Sequence, residues 1–154
     1  MQTFLPYPDF ARSARVLDTR RLGKQRVETL QIMRALHVPG YAWRNHPAVR
    51  MWRGHAEALA AYGVAVCAEW CRRGHADTCA DKIVAELTAM TRRKRVRAQN
   101  ELRARGLLPR WLGRRDVHRS HRAALLRKDP AWYRGRLRGD LPADLAYVWP
   151  VAKT

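Results

Sequence analysis

The sequence predicts an all-α protein: a single compact domain of about four to six helices with irregular N- and C-terminal segments. Three observations carry this. Apolar residues recur at helical spacing through several long stretches. No stretch alternates apolar and polar residues as a half-buried strand would. Capping residues and prolines fall where those helices should begin. A length of 154 residues suits one ordinary domain, and an apolar share of 47% is normal for a globular chain. We read 1–154 as one domain, with a core over about 1–135 and an irregular tail over 136–154.

The opening QTFLPY (2–7) is a short extended segment, because Pro6 and Pro8 forbid a central strand. Asp9 suits the N-cap of a short helix ending near Leu17. Asp18 can cap a second helix running to about His37. Its Leu22, Leu30, Met33 and Leu36 share one side, a core stripe. VPGYAWRNHP is a turn-rich loop. Pro47 suits the first turn of a long helix reaching about Arg73, with Gly54 and Gly63 as points of bending and Gly74 as its end. A further helix covers about Ala80 to Met90. The basic run from Thr91 begins as loop or ragged helix, and LLPRWLGRRD is a turn. The last helix spans about Asp116 to Lys128 and stops at Asp129-Pro130. In the tail, Tyr147, Val148 and Trp149 are apolar enough to pack back on the body.

Charge narrows the function. Lys+Arg number 31 against 13 Asp+Glu, a net charge of +18. Such self-repulsion costs stability and points to a polyanionic partner, which we read as nucleic acid in preference to an anionic membrane surface or mere compositional bias. Most of the cations are Arg, whose fork matches phosphate oxygens. No apolar run reaches the roughly 18 residues of a membrane span, and the N-terminus lacks the pattern of a secretory signal. Three cysteines make no disulfide framework. These features fit a reduced, cytoplasmic, nucleoid-associated monomer.

The motif richest in chemistry is LDTRRLGKQRVETLQ (17–31), where Glu28 stands among cations. Arg21, Lys24 and Glu28 fall at i, i+3 and i+7 and form one stripe away from the core side, bordered by Gln25 and Gln31. One reading is a solvated face with a weak Lys24–Glu28 pair. The other is a site where cations grip phosphate while Glu28 moves a proton or stabilises a developing positive charge. Cys67, Cys71, His75 and Cys79 recur every four residues, but that spacing does not wrap a tetrahedron. Cys67 and Cys71 fit the core side as buried thiols, and we assign neither metal nor cofactor.

His118 and His121 share a helix with Arg119, Arg122, Arg127 and Lys128. With Val117, Ala124, Leu125 and Leu126 turned inward, the His/Arg side should be exposed: either a solvated face or a DNA-backbone contact. Trp132 and Tyr133 follow, either to stack on bases or to plug the helix end. Tyr41, Trp43, Arg44 and His46 mix aromatic and polar groups in a loop, as sites often do. Trp43 reads as a core plug and His46 as a DNA contact. RRKRVR (92–97) either binds phosphates or is simply solvated.

Three stretches together resemble the phage-type endonuclease V family, the pyrimidine-dimer DNA glycosylase/AP lyases. They are LDTRRLGKQRVE with the apolar residues after it, AVCAEWCRRGHAD, and RAALLRKDPAWYRG. Arg21-Leu22 stands where that family carries His-Leu, and Glu28 falls at its glutamate. MQTFLPYPDF and the pattern Asp18, Arg21, Lys24, Glu28 look closer to a bacterial and phage branch of the same superfamily. The resemblance implies a compact helical domain and attack by the chain's own α-amine on C1′ of a damaged nucleotide. A Schiff base and strand cleavage by β-elimination would follow. Such an amine, with a pKa of about 7.7–8.0, is partly unprotonated at neutral pH.

Carried over, Glu28 is the catalytic acid, and the amine belongs to Met1, or to Gln2 if Met1 is removed. The DNA contacts are Arg21, Lys24, Arg26, Gln31, His46, His118, Arg119, His121, Arg122, Lys128, Trp132 and Tyr133. The partner is double-stranded DNA with a damaged or modified base, UV-dimerised pyrimidines among the candidates. The alternative is a non-catalytic nucleic-acid-binding protein on the same scaffold.

Overall fold

A computed structural model describes residues 1–137, 139, 141, 142 and 144–151. All regular structure among them is helical. Asp9 caps α1 (Phe10–Val16), its carboxylate accepting from Arg12 N–H at 2.7 Å. Asp18 caps α2 (Thr19–His37) through Arg21 N–H. Both caps satisfy donors that a helix start leaves open.

The long helix expected from Pro47 is two. α3 (Pro47–Arg50) gives way to a turn, and α4 runs Ala56–Arg72. Gly54, at φ +79°, takes a left-handed conformation inside that turn. The pattern of apolar residues continues across the break because Met51 and Trp52 are buried from the turn itself. α5 (Cys79–Thr91), the short α6 (Gln99–Ala104), α7 (Arg115–Lys128) and α8 (Pro130–Tyr133) complete the order. Five of these eight helices have seven or more residues.

α2 packs chiefly on α4 and α5, and α1 lies on α4. The crossing of α2, α4 and α5 is close because Gly63 stands there. A Cβ added at that residue would lie 2.6 Å from Thr29 Cγ2 and 2.8 Å from Ile83 Cδ1. Leu22, Leu30 and Met33 join the core as the stripe predicts, with Leu36 half-buried at its edge.

Thr3 to Tyr7 lie buried against the helices. Trp52 Nε1 donates to Thr3 Oγ1 at 3.1 Å. Leu5 is gripped from both sides by α7: its N–H donates to His121 Nδ1 at 2.9 Å, and its C=O lies 2.8 Å from His118 Nδ1. Gly113 N–H donates to His118 Nε2, so the His118 proton sits on Nδ1 and bonds Leu5. Arg122 Nη1 adds a bond to Pro6 C=O at 2.8 Å. α7 is thus a clamp that fixes the chain start.

The tail returns to the body. Tyr147 stacks on His121 with ring centroids 4.4 Å apart, Val148 N–H donates to Ser120 Oγ, and Trp149 meets His46 edge-on. No helix of the described residues is long and apolar enough to cross a membrane.

Candidate active site

The chain start and the middle of α2 meet at Glu28. Gln2 N–H donates to Glu28 Oε2 at 3.3 Å. Gln25, one turn earlier on α2, organises the junction. Its Nε2 donates to Glu28 Oε2 at 2.9 Å and to Gln2 C=O at 3.1 Å, while its Oε1 accepts from Phe4 N–H at 2.8 Å. The buried Tyr62 hydroxyl, on α4, lies 2.7 Å from the same Oε1 and 2.8 Å from Phe4 C=O. Burial, the main cause, pushes the Tyr62 pKa well up, so the hydroxyl stays neutral and available as a donor. The N-terminal segment, α2 and α4 therefore together hold one carboxylate beside the first residues of the chain.

A cleft of about 180 Å³ opens over this junction. Gln2, Gln25 and Glu28 line it, and Arg20, Arg21, Lys24 and Lys128 supply its cations. A shallower hollow continues along α2 past Gly23, Val27 and Gln31. Larger hollows, about 460 and 470 Å³, lie elsewhere. One is walled by Glu57 with Arg93 and Arg97, which pair with it, and the other by Val64, Ala65 and Val96. Neither holds an acid beside the chain start.

His46 stands near enough to the site to feel both charges. Burial is the first cause that lowers its pKa. The N-terminal amine lowers it further, and Glu28 opposes them. Its Nδ1 accepts from Ala48 N–H and caps α3, which leaves Nε2 as the free ring nitrogen's position for a proton in the neutral form. Trp43 and Trp149 flank it edge-on at 5.7 and 5.6 Å.

Around this centre the structure gathers Met1, Gln2, Arg21, Lys24, Glu28, Gln31, His46 and Lys128. Arg21 also pairs with Asp18 at 3.1 Å. Several expected DNA contacts have other work. His118 and His121 are buried, not exposed, because the N-terminal segment lies on α7 and both rings grip Leu5. Burial pushes the His121 pKa down to about 3 and lowers that of His118, so both are neutral at pH 7. Arg26 pairs with Asp77 at 2.6 Å and lies over the Trp70 ring, so it is a structural cation. Arg122 bonds Pro6 and sits over Tyr7.

Tyr133 is buried, its hydroxyl bonded to the Asp18 carboxylate, and Trp132 donates to Val16 C=O with Arg136 over its ring. Both plug the helix end. Arg119 is half-buried on α7. Trp43, read as a core plug, is instead 59% exposed, and Cys71, read as buried, is exposed. Within RRKRVR, Arg93 and Arg97 turn inward onto Glu57, and Arg95 reaches Glu101.

Gln25 and Tyr62 join the site without a sequence motif that marks them. The one signal for Gln25 was its position on the border of the Arg21–Lys24–Glu28 stripe, and a glutamine there reads as a solvated side chain.

A strongly basic helical protein with a carboxylate held against its own chain start belongs among proteins that act on a polyanion. Residues 1–83, over half the chain, match the family described as pyrimidine dimer DNA glycosylase. The chain belongs to that family, whose members are DNA-repair glycosylases acting on DNA. No curated protein and no solved structure matches it.

Proposed function

We propose that the chain excises a damaged or modified base from double-stranded DNA and then cuts the strand as an AP lyase. In this mechanism the α-amine at the chain start attacks C1′ of the damaged nucleotide, and the base leaves with the electrons of the glycosidic bond. Ring opening gives a Schiff base between that amine and C1′. Loss of a C2′ proton then drives β-elimination of the 3′ phosphate, and hydrolysis of the imine frees the amine. Glu28 stabilises the cationic imine and carries the protons. Arg20, Arg21, Lys24 and Lys128 hold backbone phosphates at the rim, with Gln31, His46 and Arg119 as further contacts. UV-dimerised pyrimidines fit as substrate, and a monomer working on nucleoid DNA suffices.

The observation that carries this reading is the 3.3 Å contact between Gln2 N–H and Glu28 Oε2 at the floor of a basic cleft. With Met1 in place that nitrogen is an amide, and the amine lies one residue away, no more than about 7 Å from the carboxylate. Removal of Met1 would turn the Gln2 nitrogen itself into the nucleophile.

Borohydride reduction in the presence of abasic-site duplex tests the proposal. A covalent protein–DNA adduct is expected, lost when the N-terminus is acetylated, and the intact mass of the protein tells which amine reacts. No adduct, together with unchanged DNA binding by Glu28→Gln, would leave a binding protein without this chemistry.

A further inference from the structure

Among the described residues, Trp43 meets the His46 ring edge-on and leaves 59% of its surface in water. Its backbone is also unusual. At φ +72° it occupies the left-handed region, which an aromatic residue rarely adopts. Such strain persists where surrounding structure enforces it, and here it does. His46 N–H donates to Trp43 C=O at 2.8 Å, and the Arg53 guanidinium donates to the neighbouring Arg44 C=O at 2.6 Å. The other side of His46 rests on Trp149. The loop is therefore a fixed mount that holds an indole outward beside the residues around Glu28 and the chain start. Exposed Arg44 on this loop and Arg53, which reaches it from the turn between α3 and α4, stand where they can take backbone phosphates.

An indole held this way has little to offer the fold. It has the shape and π-face that a base leaving its stack requires. Resting on the glycosylase reading of the cleft, we propose that Trp43 is a stacking wedge: it inserts into damaged duplex DNA beside the displaced nucleotide and fills the space that nucleotide leaves. The chemistry needs such a device, because C1′ of a stacked nucleotide is not presented to an amine at the bottom of a cleft.

The test compares wild type, Trp43→Ala and Trp43→Phe on three probes. These are an intact duplex, the same duplex with one abasic site facing 2-aminopurine, and the abasic strand alone. Wild type should prefer the abasic duplex over the intact one and raise 2-aminopurine fluorescence. Trp43→Ala should lose about tenfold or more of that preference and most of the fluorescence rise, with strand cleavage falling at least tenfold further on duplex than on single strand. Trp43→Phe should restore most of each. Equal losses on duplex and single strand, or an unchanged preference and fluorescence signal, would overturn the wedge. If wild type gives no borohydride adduct on either abasic probe, the lyase reading fails instead. The preference of the three proteins for abasic over intact duplex still decides the role of Trp43.

Discussion

Gln2 and Glu28, 26 residues apart in sequence, are joined by a hydrogen bond from the Gln2 amide to the Glu28 carboxylate at 3.3 Å. The bond ties the chain start to the middle of the longest helix, within a cleft whose charged rim is otherwise cationic. An acid so placed is poorly explained as a partner of Lys24, since the carboxylate is turned to the N-terminal segment. Glu28→Gln keeps the shape and removes the charge. Strand cleavage at an abasic site should fall by about 10²–10⁴-fold, while affinity for the same duplex stays within about threefold. Cleavage within tenfold of wild type would remove Glu28 from the mechanism.

Gln25 holds that relationship in place. It is 1% exposed and its amide serves Phe4 N–H, Gln2 C=O and Glu28 at once. In Gln25→Leu the buried Phe4 N–H loses its acceptor and Glu28 loses a donor. Each buried unsatisfied group costs about 1–3 kcal/mol, so urea unfolding should show a loss of about 2–4 kcal/mol. Cleavage should fall further than stability alone explains, at temperatures where the variant is fully folded. A variant as stable as wild type would mean that water replaces the amide without cost.

Much of the fold is legible in the sequence because capping is local. Asp9 and Asp18 each announce a helix that begins one residue later, and the structure has both. Local periodicity misses what distant segments impose. His118 and His121 sit on the polar side of α7 by pattern, yet residues 3–7 lie across that side and bury them. The same long-range docking makes Gln25 a hub. Helical spacing runs unbroken past Gly54, so the turn between α3 and α4 is masked by Met51 and Trp52, which are buried from within it. Glu28 was readable as a candidate because its stripe faces away from the core. Its partner at the chain start was not, since nothing local links Gln2 to α2.

The clamp on Leu5 predicts a pH dependence. His121 is fully buried with a pKa lowered to about 3, against about 6.5 in an unfolded chain. Between those values the unfolded state binds a proton that the folded state does not, so stability falls as pH falls below 6.5. The slope from His121 should approach about 1.4 kcal/mol per pH unit, and His118, shifted the same way, adds to it. Glu57, Glu69 and Glu86 have pKa values below the ordinary carboxylate range, so they add little above about pH 5. Urea midpoints at pH 7, 6 and 5 measure this. His121→Asn, which keeps an acceptor for Leu5 N–H, should be less stable at pH 7 but show a flatter slope. Parallel slopes for the two proteins would place the proton uptake elsewhere.

Two cations of one helix, Lys24 and Arg26, should behave oppositely. Lys24 is exposed on the rim of the cleft. Arg26 is paired with Asp77 at 2.6 Å, with both side chains largely out of water, and covers Trp70. Lys24→Ala should leave unfolding within about 0.5 kcal/mol of wild type and weaken DNA binding. One lost phosphate contact should reduce the slope of log affinity against log salt by about 0.9. Arg26→Ala leaves the Asp77 carboxylate without its cation and uncovers the indole, so it should cost about 2–4 kcal/mol of stability. Its salt slope should match wild type, because the Arg26 guanidinium is already committed to Asp77 and Trp70. Equilibrium unfolding and binding titrations between 50 and about 200 mM salt separate the two. A reduced salt slope in Arg26→Ala with unchanged stability would return Arg26 to the DNA-binding face.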